Sequence, residues 1–281
     1  MKKYAVMTMD VEDWYHTGYL LNLDVDKSYT MSDGLDIYAE ILKKNNIKGT
    51  FFTLSEMIPV VGLKLKVLYN DGHEIGVHGK DHFRPVEKDL NIFESDITVA
   101  KQEIENVIEC KVKGYRAPSY GIDIDRVNII EKLGFKYDSS KIESQNNSFY
   151  EKLDLSSFEK VDDRIYKRDD FYEFEISTEK FLGKRWTIAG GGFFRIFPWF
   201  ITKHLIKKFI KRENYFVFFI HPFEVSNKKT PKIEKLSFLN KVRMNFGRKT
   251  VQCKIAKLIK LLKKYDFEFT TFNQLVDKIN D

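Results

Sequence analysis

Residues 4–13 have the sequence YAVMTMDVED, an apolar run that ends in three carboxylates. The run is long enough for a β-strand and too short for a membrane span, which needs about 20 apolar residues. Asp10, Glu12 and Asp13 therefore follow directly after a predicted first strand. In parallel α/β folds the carboxyl ends of the strands meet at one face of the sheet, where active sites form. This opening strand thus indicates the fold class and the place to look for chemistry.

Beyond this strand, short apolar runs alternate with helical patterns along the chain. The alternation predicts an α/β fold with a parallel sheet or a distorted (β/α) barrel. We find no repeat and no linker, so residues 1–281 are predicted to form one domain, with 226–281 as a C-terminal elaboration. Residues 139–170 and 226–250 are predicted loops, and Gly190–Gly192 a turn. Further strands are predicted at 47–54, 73–77, 112–115, 135–137, 171–176, 215–220 and 266–270, and the main helices at 33–45, 55–70, 87–109, 123–133, 199–212, 251–264 and 272–280.

The composition excludes several classes of protein. Hydrophobic residues make up 43% of the 281 residues, which excludes wholesale disorder. Lys and Arg exceed Asp and Glu by 47 to 41, too small an excess to indicate nucleic-acid binding. Cys110 and Cys253 cannot form a disulfide framework, which fits a reducing compartment. Because the N-terminal apolar run is too short for a secretory signal, we expect a cytoplasmic protein.

Three histidines and two other charged residues also follow predicted strands: His78, His82, Arg116, Asp138 and His221. Two imidazoles and one carboxylate can hold a divalent metal with positions left open for water and substrate. Such a metal lowers the pKa of bound water to about 7. A second carboxylate can accept a proton, and a histidine on the opposite side can protonate a leaving group. These groups are the components of metal-assisted hydrolysis of an amide or ester.

Eight segments, spread over nearly the whole chain, together form a pattern that is specific for one protein family. They are TMDVEDW at 8–14, TFFTL at 50–54, HEIGVHGKDH at 73–82, GYRAPSY at 114–120, FKYDSS at 135–140, YEFEIST at 172–178, GGGFFRIFPWF at 190–200 and FFIHPFEV at 218–225. The set resembles the polysaccharide deacetylase family, also called NodB homology or carbohydrate esterase family 4. It is most similar to the branch found with exopolysaccharide and exosortase gene clusters. The resemblance implies a distorted (β/α)7-type barrel with a C-terminal helical and loop extension.

The resemblance also implies roles for the residues at the strand ends. Backbone N–H groups after Pro118 would hold an oxyanion, and Asp138 would lie near the site and help orient the catalytic histidine. The remaining implied roles are general base for Asp10, metal ligand for His78 and His82, orientation of the base for Arg116, and general acid for His221.

The sequence departs from the family pattern at two places. Val11 stands where a metal-binding aspartate usually follows the base, so the carboxylate ligand is either Glu12 or Asp13. Ser119 stands where an aromatic residue usually follows the proline, and Tyr120 comes next. The oxyanion donor is therefore the amide of either residue, and the substrate wall is expected to differ.

Other residues are candidates for binding substrate. Trp14 follows the carboxylates and could line the pocket, with simple packing as the alternative. Arg195, in the Gly-rich segment, could approach a sugar or a phosphate. The basic residues near 207–212 and 228–249 could face lipid or pyrophosphate, with a solvated charged surface as the alternative.

The predicted activity is removal of the acetyl group from an N-acetylated sugar during surface-polysaccharide biosynthesis. The substrate would be a glycan or a lipid-linked or nucleotide-linked precursor, and a lipid-linked one would bring peripheral membrane association. The cofactor is one divalent metal ion, with zinc as the default and cobalt, nickel, manganese or iron as alternatives. The alternative functions are hydrolysis of another C–N bond, as in the allantoinase-like branch, and a catalytically degenerate carbohydrate-binding module. No nucleic-acid partner is expected.

Overall fold

The computed structural model describes residues 2–20, 23–143 and 153–280. In these residues strands and helices alternate as the apolar runs predict. The strands are β1 (Lys3–Val11), β2 (Thr50–Leu54), β3 (Glu74–Gly79), β4 (Gly114–Tyr115), β5 (Tyr137–Asp138), β6 (Glu159–Asp162), β7 (Ile165–Arg168), β8 (Phe171–Phe174), β9 (Glu179–Phe181), β10 (Lys184–Trp186), β11 (Tyr215–Ile220) and β12 (Phe267–Thr270). The helices are α1 (Asp33–Lys44), α2 (Ile58–Asn70), α3 (Leu90–Ile108), α4 (Ile124–Lys132), α5 (Gly191–Ile196), α6 (Trp199–Ile210), α7 (Pro222–Val225), α8 (Phe238–Asn245), α9 (Arg248–Lys264) and α10 (Phe272–Asn280).

One curled sheet organises the molecule. Its order is β11-β1-β2-β3-β4-β5-β8-β7-β6, and β12 pairs with the first half of β1. The seven strands from β11 to β8 run parallel to one another. Strand β7 is antiparallel to β8, and β6 is antiparallel to β7. On the open side, the backbone N–H groups of Val217 and Phe219 donate to Ser177 Oγ and to the Ala189 carbonyl. The predicted distorted (β/α)7-type barrel is confirmed.

The alternation of side chains along β1 separates two cores. Ala5, Met7 and Met9 pack in the outer core, between the sheet and the surrounding helices. Val6 belongs to the inner core within the curve of the sheet. Because successive side chains of a strand point to opposite faces, Thr8 and Asp10 share the inner face with Val6. The same period places polar residues at the inner ends of the neighbouring strands.

Three predicted irregular segments contain regular structure. The part of 139–170 that the structure describes includes the β6–β7 hairpin, in which the edge strand β6 is largely exposed and lacks an apolar alternation. Residues 144–152 lie outside the described residues. Within 226–250 the structure has α8 and the start of α9. The glycine-rich turn is instead the start of α5. Gly190 just before it pairs with Phe219, and a Cβ there would lie 2.0 Å from the Phe219 carbonyl oxygen.

None of the helices in the described part of the chain has the length and apolar character to cross a bilayer.

Candidate active site

The ends of β1 and β3 bring together a carboxylate and two imidazoles. Glu12 lies just past β1, His78 lies within β3, and His82 lies in the following turn. Glu12 Oε2 is 2.6 Å from His82 Nε2 and 3.9 Å from His78 Nε2. One ligand atom from each of the three residues falls within 4.8 Å of the others. Two neutral imidazole nitrogens and one carboxylate suit a zinc-like divalent ion with open coordination positions.

The surroundings of this cluster prepare its groups to bind a cation. His78 Nδ1 donates a hydrogen bond of 2.8 Å to the Arg116 carbonyl, which leaves the Nε2 lone pair facing Glu12. Burial lowers the pKa of His78 to about 4, although the carboxylates of Asp10 and Glu12 oppose this. Burial also disfavours the charge of Glu12, but the imidazoles of His82, His221 and His78 outweigh it and hold the pKa of Glu12 well below its ordinary value.

Asp13, the alternative carboxylate ligand, is used elsewhere. Its Oδ1 accepts hydrogen bonds from the amides of Trp14 (2.8 Å) and Met31 (3.0 Å), and its Oδ2 accepts from the Thr30 hydroxyl. The carboxylate therefore caps the short 3₁₀ turn after β1 and holds the loop before α1. The structure groups Glu12, and not Asp13, with the histidines, because Asp13 points toward this loop.

Asp10 is paired with a fully buried arginine. Arg116 Nη1 donates to Asp10 Oδ1 (2.8 Å) and to Thr8 Oγ1 (2.7 Å), and its Nε donates to the Ser139 carbonyl (3.1 Å). The guanidinium also lies 4.3 Å from the centre of the Phe52 ring. Several fixed partners thus hold Arg116 in one orientation, and Arg116 in turn holds the Asp10 carboxylate at the edge of the Glu12 cluster.

His221 faces the cluster from the end of β11. Its Nε2 lies 3.6 Å from Glu12 Oε1 and 4.0 Å from Asp10 Oδ2, while its Nδ1 donates to Glu224 Oε2 at 2.8 Å. Burial alone would lower the pKa of His221, but the carboxylates of Glu12, Glu224 and Asp10 raise it to about 9. The imidazolium is therefore the favoured form at neutral pH, with one proton directed into the site.

The resemblance implies that Asp138 helps to orient His221, but the structure places another carboxylate against this histidine. Asp138 Oδ1 accepts from Ser140 Oγ (2.6 Å), and Asp138 is paired with the buried Glu173. The carboxylate that contacts His221 is Glu224. The spacing of His221-Pro-Phe-Glu224 is the sequence signal that identifies this glutamate, because a glutamate three residues after an N-cap can form a capping box. In the structure Glu224 is the N3 residue of α7 and accepts a hydrogen bond from the amide of its N-cap, His221 (3.3 Å).

Arg195 also differs from its predicted role. It is 3% exposed, and its Nε donates to Glu224 Oε1 at 2.9 Å. Its other nitrogens donate to the carbonyls of Arg243 and Phe246. Arg195 therefore supports the carboxylate behind His221 and does not face a sugar or a phosphate.

The buried Asp138–Glu173 pair lies under the loop that carries Arg116. Burial raises the pKa of Asp138 to about 6, and burial together with the Asp138 charge raises that of Glu173 well above its ordinary value. Two carboxyl groups in contact favour sharing one proton. Glu173 Oε1 accepts from the Ser140 amide, and Ser140 Oγ accepts from the Ala117 amide. The pair therefore helps to position the GYRAPS loop.

The remaining predicted binding residues have mixed placements. Pro118, Ser119 and Tyr120 form a 3₁₀ turn in which Ser119 and Tyr120 have φ of 52° and 58°. The Tyr120 amide donates to the Ala117 carbonyl, so the Ser119 amide is the better candidate for an oxyanion donor.

Trp14 is 1% exposed and donates from Nε1 to the Tyr29 carbonyl, as a packed residue does. Trp14 also borders a groove of about 550 Å³, formed with residues 23–26, Tyr29 and residues 231–235.

Comparison with known proteins relates parts of this chain to known deacetylases. A polysaccharide deacetylase family model matches residues 20–137, and a domain of unknown function, DUF3473, matches residues 145–277. A peptidoglycan deacetylase from Helicobacter pylori is 24% identical over 136 residues, which are 48% of this chain and 46% of that protein. Residues 20–137 of this chain are thus similar to the polysaccharide deacetylase family.

Solved structures share the fold across the whole chain. A peptidoglycan N-acetylglucosamine deacetylase has a TM-score of 0.58 at 14% identity and covers 97% of this chain and 87% of its own. A carbohydrate esterase family 4 pseudoenzyme from Bacillus anthracis also has a TM-score of 0.58, at 13% identity. The match covers 99% of this chain and 66% of the pseudoenzyme chain. The chain spans less than half the length of the curated relatives it matches. Membership of the exopolysaccharide-associated branch stays a prediction.

Proposed function

We propose that this protein is a metal-dependent N-deacetylase acting on an N-acetylated sugar. The observation that supports the proposal most strongly is the grouping of Glu12, His78 and His82 beside two groups suited to proton transfer. These groups are Asp10 and His221, whose Oδ2 and Nε2 atoms lie 4.0 Å apart at the edge of the cluster. Hydrolysis of N-acetyl groups agrees with the family; the metal, the sugar and turnover itself belong to the proposal.

The roles of the residues follow from their surroundings. A divalent ion held by Glu12, His78 and His82 would polarise the acetamide carbonyl and lower the pKa of a water molecule. Asp10, fixed by Arg116, accepts the proton that this water loses as its oxygen bonds to the acetyl carbon. The Ser119 amide is the proposed donor to the carbonyl oxygen as negative charge develops on it.

The same arrangement accounts for departure of the amine. His221 Nε2 gives its proton to the amide nitrogen while the C–N bond breaks, so that acetate and a free amine leave. Glu224 holds the opposite nitrogen, Nδ1, and thereby directs the transferable proton on Nε2 into the site. After turnover the proton held by Asp10 returns to solvent and His221 is reprotonated.

The proposed sugar is a component of a surface polysaccharide. The Helicobacter pylori relative is named as a peptidoglycan deacetylase, and one similar structure is named as a peptidoglycan N-acetylglucosamine deacetylase. These names support N-acetylglucosamine-containing glycans as the first substrates to test. Lipid-linked and nucleotide-linked N-acetylated sugars complete the panel.

The test is acetate release from this panel by the zinc-loaded protein. Asp10→Asn and His221→Ala should each lower turnover at least about 100-fold, the usual contribution of a general base or acid. His204→Ala changes an exposed histidine of α6 and is the matched control. Full activity of Asp10→Asn would refute the assignment of the base. Glycan binding without acetate release would indicate a degenerate binding module, and C–N hydrolysis without acetate would indicate the allantoinase-like alternative.

A further inference from the structure

Helix α8 presents apolar residues to solvent. Phe238, Leu239 and Val242 are 78%, 68% and 40% exposed, while Met244 is buried. At about 100° per residue, the three exposed residues occupy an arc of roughly 100°, and Met244 lies on the opposite side. Phe246, directly after the helix, is 56% exposed. A contiguous exposed apolar face of this kind marks an interaction site.

Basic residues surround this face. On the helical wheel Lys241 and Arg243 flank the apolar arc on its two sides, and both are exposed, as are Lys235 and Lys249. We call this set, Phe238, Leu239, Val242 and Phe246 with Lys235, Lys241, Arg243 and Lys249, the α8 surface.

The charge around the α8 surface is unlike that of the rest of the chain. Residues 180–212 and 235–265 contain nineteen of the 47 Lys and Arg residues and no Asp or Glu. The remaining sequence has 28 Lys and Arg residues against 41 Asp and Glu. The small net charge therefore conceals two strongly basic segments within an otherwise acidic protein, and such asymmetry favours an anionic partner.

Hydrogen bonds connect these two segments. Arg195 donates to the carbonyls of Arg243 and Phe246, and Lys254 Nζ donates to those of Arg195 and Phe197, both at 2.8 Å. The start of α6 follows, with Phe200 72% exposed and the exposed Lys203 one turn later. Bulky apolar and basic residues thus recur directly after the segment that is hydrogen-bonded to α8 and α9.

We infer that the α8 surface docks on a lipid bilayer that contains anionic headgroups. An interfacial helix of this kind places aromatic and aliphatic side chains at the boundary of headgroups and acyl chains, while flanking Lys and Arg contact lipid phosphates. Leu239 and Val242 cannot stack on bases, which disfavours a nucleic acid as the occupant. A bilayer satisfies both the apolar face and its basic border.

Docking would also fix the position of the active site. The carbonyls of α8 hold Arg195, Arg195 holds Glu224, and Glu224 holds His221. A docked α8 surface would therefore keep His221 at a set distance from the membrane, which suits a sugar on a lipid carrier. This consequence for the substrate rests on the proposed function, whereas docking itself does not.

The experiment is co-sedimentation of the full chain with vesicles of phosphatidylcholine, alone or with 30% phosphatidylglycerol. We expect the partition coefficient to be at least tenfold higher on the anionic vesicles and to fall at 0.5 M salt, because salt screens exposed charges. Phe238→Ser/Leu239→Ser and Lys241→Glu/Arg243→Glu should each lower it at least tenfold. Leu63→Ser/Val67→Ser changes an equally exposed apolar pair on α2 and should leave it within twofold.

Several results would overturn the inference. These are no binding to either vesicle, equal loss in the α2 control, or a dimer in solution that Phe238→Ser/Leu239→Ser dissolves. Circular dichroism confirms that each variant is folded, which exposed positions should allow. Asp10→Asn should bind vesicles like the wild type, so failure of docking and failure of catalysis are separable.

Discussion

Replacing the neighbouring carboxylates Glu12 and Asp13 by amides, one at a time, should affect two different properties. One variant should lose metal affinity and the other should lose stability. Glu12→Gln removes the anionic ligand from the cluster with His78 and His82. Loss of a partner that only orients a ligand costs about 10- to 100-fold in metal affinity, so loss of the ligand charge itself should cost at least about 100-fold. That factor corresponds to roughly 2.7 kcal/mol of binding free energy.

Asp13→Asn should instead lower the stability of the protein and leave its metal affinity nearly unchanged. The carboxylate accepts hydrogen bonds from Trp14, Met31 and Thr30, and an amide has one oxygen with which to accept them. At least one buried donor is left facing an NH₂ group, at a cost of about 1–3 kcal/mol in the free energy of unfolding. Zinc affinity should stay within about threefold of the wild type, because no ligand atom is lost.

The assays are zinc affinity by competition with a chromophoric chelator and guanidinium unfolding of the metal-free protein. Each variant serves as the control for the other, since the two changes are chemically alike and adjacent in sequence. If Asp13→Asn abolishes zinc binding while Glu12→Gln retains it, Asp13 and not Glu12 is the carboxylate ligand.

Two further perturbations test the groups around the site. Glu224→Gln removes the charge 2.8 Å from His221, so the alkaline limb of the kcat/KM profile should move down by about one pH unit or more, and an unchanged profile would exclude this role. Asp138→Asn/Glu173→Gln removes the titrating buried pair. Burial raises the pKa of Asp138 in the folded protein to about 6, above its ordinary value of 3.8. The wild type therefore loses stability as the pH rises from about 4 to 6. Relative to the wild type, the variant should gain roughly 1–3 kcal/mol of unfolding free energy between pH 4.5 and 7. A pH-independent difference between the two proteins would refute the shared proton.

Much of the site could be predicted because it depends on strand period and strand order. Asp10 lies on the inner face of β1, and His78, Arg116 and His221 follow or end parallel strands of the same sheet. Once the alternation predicts that sheet, the carboxyl ends of its strands must converge. The fold and the resemblance to polysaccharide deacetylases follow from the same residues, and both are confirmed.

The assignments that stayed open or were wrong depend on side-chain directions that motifs do not specify. Glu12 and Asp13 are adjacent, and only the 3₁₀ turn after β1 decides which carboxylate enters the cluster. Glu224 acts through a one-turn helix too short to give a periodic signal. Arg195 looks like an anion ligand in sequence, but packing of α8 and α9 buries it behind Glu224.

The proposed function requires the Glu12–His78–His82 cluster to bind one catalytic metal ion. The most direct test is titration of the metal-free protein with zinc while bound zinc and acetate release are measured in the same samples. Bound zinc and acetate release should rise together and reach a plateau at one equivalent, and His78→Ala/His82→Ala should show neither. Acetate release that is complete without metal, or that persists in the double variant, would contradict the proposed function.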